Sequence, residues 1–173
     1  MKPGRPIAPA LTKAGILQTA LTMIDAGQTT LSFRSLATAH GVTPMAIAHH
    51  IGTRDQLLAD LIALCFAPLT PPSSGDTPPA RLRDLLTRYC QTVLHHPNLI
   101  PLTFANPALM TGPLRDLTDR LRADLPSDIV LNLTIDYTHG FTLSAAAPPG
   151  VGPTLSDYLA GLDWILSHAF PSG

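Results

Sequence analysis

Seven histidines and two cysteines are the side chains of this sequence best suited to hold a metal or carry a nucleophile. Four of the histidines form adjacent pairs, His49-His50 and His95-His96. Neighbours on a helix point roughly 100° apart, and neither pair has an acidic or cysteine partner four residues away, so no metal site is expected. Cys65 and Cys90 lie in apolar segments without the paired spacing of a zinc or redox motif and read as buried thiols. No Ser-His-Asp order, phosphate-cradling glycine loop or carboxylate pair stands out. Gly150 and Gly152 sit between prolines rather than opening a helix after a strand. No catalytic residue, no enzymatic activity and no cofactor are expected.

What remains is binding chemistry, concentrated near the N-terminus. Ser32 and Thr43 place hydroxyls at predicted helix starts, where they and backbone amides can hold phosphate oxygens. Arg34 and Arg54 are fixed cations beside them, and His49 and His50 add charge only when protonated. Charge is unevenly spread. Residues 1–64 hold Lys2, Arg5, Lys13, Arg34 and Arg54 against Asp25, Asp55 and Asp60, whereas the rest of the chain carries six Arg against nine Asp. A polyanion therefore prefers the N-terminal third.

The elements that must position these groups are helices. Apolar residues recur at helical spacing, without sustained two-residue alternation. Hydrophobic residues make up 45% of the 173, and charged ones only 13% against about 25% in an average soluble domain. That argues against disorder and against a long solvated coiled coil. Proline-rich breaks fall at residues 1–9, 67–80 and 148–153. Helices are expected over about 11–26, 33–40, 44–51, 54–66, a fifth ending at His95, 113–125, 127–147 and 155–170, with a short apolar segment from Leu99 to Phe104. The expectation is an all-α protein of about nine helices. No secretory or membrane-spanning pattern is found, so a soluble, cytoplasmic chain without a membrane partner is expected.

Residues 32–51 fit a helix-turn-helix. Ala37 is small where two helices cross, Gly41 supplies the left-handed turn, and Val42 and Ile47 plug the core beneath the second helix. Any tight helical hairpin can use the same devices, so the motif alone leaves DNA contact and plain packing both open.

The wider pattern narrows the choice. Ile16, Ala20, Leu21, Ile24 and Gly27, then Leu31-Ser32-Phe33-Arg34-Ser35-Leu36-Ala37, Gly41-Val42-Thr43, Ile47, His50, Ile51, Arg54, Leu57 and Leu58 resemble the N-terminal module of the tetracycline-repressor (TetR) family of bacterial regulators. The segment His96-Pro97-Asn98-Leu99 is similar to that family as well. The resemblance implies a helix-turn-helix DNA-binding domain over 1–64, with an arm at 1–9, and a helical effector-binding and dimerisation domain over 65–173. It implies a homodimeric regulator, acting as a repressor, whose partners are a double-stranded DNA operator and a small-molecule effector. Thr43, Pro44, Met45, Ala46 and His49 would face bases or backbone, with Ser32, Arg34, His50 and Arg54 at phosphates.

Two departures qualify this picture. Ala48 replaces the tyrosine usual near the middle of the family's recognition helix, which removes a common phosphate contact. Between Thr43 and Ile51 there is no Arg, Lys, Asn or Gln, so apolar contact with thymine methyls carries more of the reading and operator preference should be weak or unusual. An alternative is a helical adaptor of the same fold that has lost operator binding. The tail Lys2-Pro3-Gly4-Arg5-Pro6 resembles a minor-groove arm, and an ordinary disordered terminus is the other reading.

In the C-terminal part, Phe66, Tyr89, Leu102, Phe104, Met110, Tyr137 and Phe141 are candidates to line an effector pocket, with core packing the alternative for each. The run from Tyr89 to Leu114 contains no Asp, Glu, Lys or Arg, which suits a small, largely apolar effector. Family members that bind tetracycline carry a metal-ligand histidine in the segment corresponding to Leu102–Pro107. This sequence has none there, so magnesium-tetracycline is not the expected ligand. Leu155, Leu159, Leu162 and Leu166 repeat at intervals of four and three, a seam that calls for a partner helix. With Leu133, Asp136 and Asp163 they are the candidate dimer interface.

Overall fold

The structure is a computed structural model that describes residues 10–28, 31–99, 101, 112–145 and 152–171. Those residues form eight α-helices: α1 (Lys13–Asp25), α2 (Phe33–His40), α3 (Pro44–Ile51), α4 (Arg54–Phe66), α5 (Pro78–His95), α6 (Pro113–Asp124), α7 (Asp128–Ala145) and α8 (Leu155–Ala169). Two short 3-10 turns, Ala67–Leu69 and Pro97–Leu99, follow α4 and α5. The all-α expectation holds, with one fewer α-helix among the described residues than the nine expected. None of the described helices is long and apolar enough to cross a membrane.

The chain divides into two compact units, Met1–Leu61 and Ile62–Gly173. In the first, α1, α2 and α3 pack against one another. Their starts are set locally. The hydroxyls of Thr12, Ser32 and Thr43 each accept a backbone N–H three residues on, from Gly15, Ser35 and Ala46. Each cap satisfies a donor that a helix start would otherwise leave open. Ile16, Ala20 and Ile24 of α1, Leu36 and Ala37 of α2, and Ile47 and Ile51 of α3 are buried. An ion pair between Lys13 and Asp60, 2.6 Å apart, adds a polar tie within this unit.

In the second unit α5 is the central element and packs on α6, α7 and α8. It buries Leu82, Leu85, Leu86, Tyr89, Cys90 and Val93. On α7 the core face carries Leu131, Thr134, Thr138, Phe141 and Thr142. Burying three hydroxyls is tolerated because each bonds its own helix: Thr134 donates to the Val130 carbonyl, Thr138 to that of Thr134 and Thr142 to that of His139. The Thr138 hydroxyl also lies 2.9 Å from that of Tyr158, which in turn donates to the Leu86 carbonyl at 3.2 Å. Gly161 admits the Tyr137 hydroxyl so closely that a Cβ there would collide with it.

Two guanidinium groups hold the proline-rich segment that follows α4. Arg88 reaches the Pro68 and Pro71 carbonyls at 3.2 and 3.3 Å, and Arg120 reaches the Leu69 and Pro71 carbonyls and the Ser73 hydroxyl. Asp84 adds a bond from Ser74 N–H at 3.1 Å and pairs with Arg88 at 2.7 Å. The prolines stop the helix as composition predicts. Yet the segment is not a free tether, since its unpaired carbonyls are satisfied by long side chains from α5 and α6.

Candidate nucleic-acid interface

The turn between α2 and α3 is built from hydrogen bonds that only a left-handed residue allows. Gly41 has φ +65° and ψ +32°. Its N–H donates to the Thr38 carbonyl at 3.3 Å, and that of Val42 to the Ala37 carbonyl at 3.0 Å, a Schellman closure. Two residues later Thr43 caps α3 and Pro44 occupies its first position, where a missing N–H costs nothing. With Ile47 fully buried and Ile51 nearly so, helical geometry turns the other side of α3 outward.

That outward side carries most of the residues singled out for nucleic acid. Thr43, Pro44, Met45, His49 and His50 are exposed, Met45 to 78%, and Ala46 and Ala48 are half-buried. Met45 and His49 are four apart and share a face. The rings of His49 and His50 lie 5.6 Å apart and nearly perpendicular. Arg34 on the first turn of α2 and Arg54 at the start of α4 are exposed. Ser32, half-buried, caps α2 at the expected helix start: its hydroxyl accepts from Ser35 N–H at 3.1 Å while the Ser35 hydroxyl accepts from Ser32 N–H at 3.2 Å, a capping box. The arm residues Lys2 and Arg5 lie outside the described residues.

Comparison with known proteins rests on structure. No family model matches the chain, and no curated protein sequence does either. Solved structures do. Apo ActR from Streptomyces coelicolor is 16% identical with a TM-score of 0.71, covering 94% of this chain and 96% of that one. A second protein of that organism, SCO7222, described as a TetR transcriptional regulator, is 17% identical at TM-score 0.68, covering 92% and 97%. The TetR family transcriptional regulator PfmR from Thermus thermophilus is 17% identical at TM-score 0.66, covering 95% and 100%. This chain has the TetR-regulator fold.

Within the second unit of this TetR fold, the remaining candidates fall into two groups. Tyr89, Tyr137 and Phe141 are packed among themselves and their neighbours: Phe66 stacks on Tyr89 at 5.9 Å, and Tyr137 and Phe141 meet the Tyr158 ring at 5.4 and 5.0 Å. Tyr137 also donates toward the Asp157 and Tyr158 carbonyls. Phe66 borders a cavity of about 200 Å³ with Leu69, Pro113, Asp116 and Arg120. A second cavity of about 280 Å³ lies beside Cys65, Pro68, Arg88 and His95. Leu102, Phe104 and Met110 lie outside the described residues. Among the described residues no three metal-ligating side chains come together. Burial raises the Cys90 thiol to about 12, which keeps it protonated and unreactive.

The leucine seam of α8 faces inward. Leu162 and Leu166 are buried in their own unit together with Tyr158 and Ile165, while Leu155 and Leu159 are half-buried. Asp163 is held by a bidentate pair with Arg83, at 2.6 and 3.1 Å. The open apolar surface is instead on α7, where Ile129, Leu133 and Leu143 are 80%, 49% and 69% exposed, with Asp136 and Gly140 between them at the same four-three spacing. Trp164 of α8 is 61% exposed and stacks on His168 at 4.1 Å. Sequence reasoning singled out Leu133 and Asp136 and missed Ile129 and Leu143. The signal was present: threonines at 134, 138 and 142 mark one side of α7 as hydrogen-bonded to itself and buried, which leaves the other side for something else.

Proposed function

We propose that the chain is a DNA-binding transcriptional regulator that works as a homodimer. The observation that carries this is the outward side of α3: Thr43, Pro44, Met45, His49 and His50 exposed on a helix whose Ile47 and Ile51 are locked beneath it. A short helix so braced, entered through a capped turn, suits the major groove, with Thr43, Pro44, Met45, Ala46 and His49 at bases and Arg34, His50 and Arg54 at phosphates. The Ser32 hydroxyl, engaged in its cap, supports the interface by holding α2 in place.

Two copies are required for tight readout, because half-sites lie one helical turn, roughly 34–36 Å, apart. The self-complementary apolar stripe Ile129, Leu133 and Leu143, with Trp164, supports an isologous contact. Leu155 and Leu159 border that contact, and Leu162 and Leu166 back it from within the unit. Repression relieved by a small, largely apolar effector bound in the second unit completes the reading. Effector and operator would then oppose each other by a reciprocal coupling of about 1–3 kcal/mol.

The direct test is selection: purified protein is incubated with sheared genomic DNA, and the retained fragments are sequenced. A recurrent inverted repeat is expected. Retention of no DNA above a bead control, with the protein folded and dimeric, overturns the regulator reading in favour of a helical adaptor. Thermal-shift screening addresses the effector, where apolar and aromatic compounds are expected to stabilise. Stabilisation confined to highly charged compounds contradicts that part.

A further inference from the structure

We propose that His49 and His50 make DNA binding proton-linked, so that the complex takes up protons at this pair and tightens as the surroundings acidify. The proposal rests on the operator reading above and concerns how that same surface is regulated.

What α3 exposes carries little charge of its own. Thr43, Pro44 and Met45 can never carry charge. The only groups on its outward side able to become cations are the two imidazoles in its last turn. Fixed positive charge nearby is scarce. Of the described cations in the first unit, Lys13 is paired with Asp60 at 2.6 Å, which leaves Arg34 and Arg54. With so few permanent cations among the described residues, their electrostatic hold on phosphate is weak, and added charge on α3 itself would strengthen it.

The imidazoles are placed to supply it. Among the described residues neither His49 nor His50 forms a hydrogen bond or an ion pair; their one contact is with each other, ring to ring at 5.6 Å. The charged and titratable groups on the helices packed against α3 are Lys13 and Asp25 on α1, and Arg34 and His40 on α2. Arg54 and Asp55 follow on the first turn of α4. Among the described residues no carboxylate forms an ion pair with either ring. Two imidazolium groups so close repel one another, and a phosphate backbone laid across them offsets that repulsion. The bound duplex therefore favours protonation, and by linkage protonation favours the duplex.

Histidine is the side chain able to change its charge across the physiological range. The sign follows. A group that holds its proton more tightly in the complex adds affinity that is complete below its free-state titration and vanishes as pH rises through its bound-state titration. A proton held about ten times more tightly in the complex adds up to about tenfold in affinity per group.

The experiment uses the full chain and a fluorescein-labelled duplex recovered by selection from a random library. Anisotropy titrations run at constant ionic strength between about pH 8 and about pH 6. Expected are an affinity gain of about tenfold or more toward acid, and a gain under about twofold for His49→Gln/His50→Gln, each protein being compared with its own affinity near pH 8. Each single variant should fall between, which keeps the inference testable should the double variant fold poorly. Calorimetry of wild type in two buffers of different ionisation enthalpy should register net proton uptake near pH 7. Binding with no pH dependence and no proton uptake overturns the inference and leaves the operator reading standing, as does an acid gain undiminished in the variants. Failure to bind duplex at any pH overturns the operator reading and this inference with it.

Discussion

The Tyr89 hydroxyl and His139 Nε2 lie 2.6 Å apart across the α5–α7 contact. Burial keeps both neutral: it pushes the tyrosine well above its ordinary value and lowers the histidine, against which a nearby Asp136 pulls weakly upward. The hydroxyl can donate or accept, so which of the two donates is set by which ring nitrogen of His139 holds the proton. This pair makes the stability of the second unit sensitive to acid. With a folded-state value below the unfolded one near 6.5, His139 favours the folded state above that pH, and its contribution is lost as pH falls through the unfolded value. Urea denaturation should show stability level above about pH 6.5 and declining toward about pH 5, with the decline reduced in His139→Gln. Tyr89→Phe, which removes this hydrogen bond to His139, should cost about 1–2 kcal/mol near neutrality.

Gly41 sits in the left-handed region with open space around it, so a side chain there would strain the backbone without meeting a neighbour. Gly41→Ala should destabilise by about 1–2 kcal/mol, from conformation alone. Proteolysis should report the loss within residues 10–61. An unchanged melting temperature with unchanged DNA binding would contradict the turn's role.

Leu133 and Leu162 have similar chemistry and opposite fates, at 49% and 0% exposure. Leu162→Ala should cost about 2–5 kcal/mol as a core cavity. Leu133→Asp together with Ile129→Asp should instead leave helical content intact and convert dimer to monomer by light scattering. A monomeric wild type, or a dimer indifferent to these changes, refutes the proposed surface.

Among the described residues of the first unit, Met45 is the large apolar side chain left exposed, at 78%. If it reads thymine methyls, replacing dT by dU at the contacted positions of a selected duplex should weaken binding by about 1 kcal/mol, and Met45→Ala should abolish that difference. Equal sensitivity to dU in both proteins would show that other groups meet the methyls.

What could be read from the amino-acid order alone was everything determined within a few residues. Ser32, Thr43 with Pro44, and Gly41 locate two helices and the turn between them because caps and left-handed turns are satisfied by immediate neighbours. The α3 side that carries Met45 and His49 follows from the same local periodicity. Tertiary structure alone decided which copy of a repeated pattern meets solvent. The four-three spacing on α8 serves an inward seam, and the same spacing on α7 an outward one, because a helix packs equally well on its own chain or on another. Long-range polar pairs were likewise illegible: Arg83 with Asp163, Tyr89 with His139, and two arginines on the carbonyls of a proline-rich segment. Such partners are chosen by which surfaces the folded helices bring within about 3 Å of each other, and sequence separation carries no trace of that.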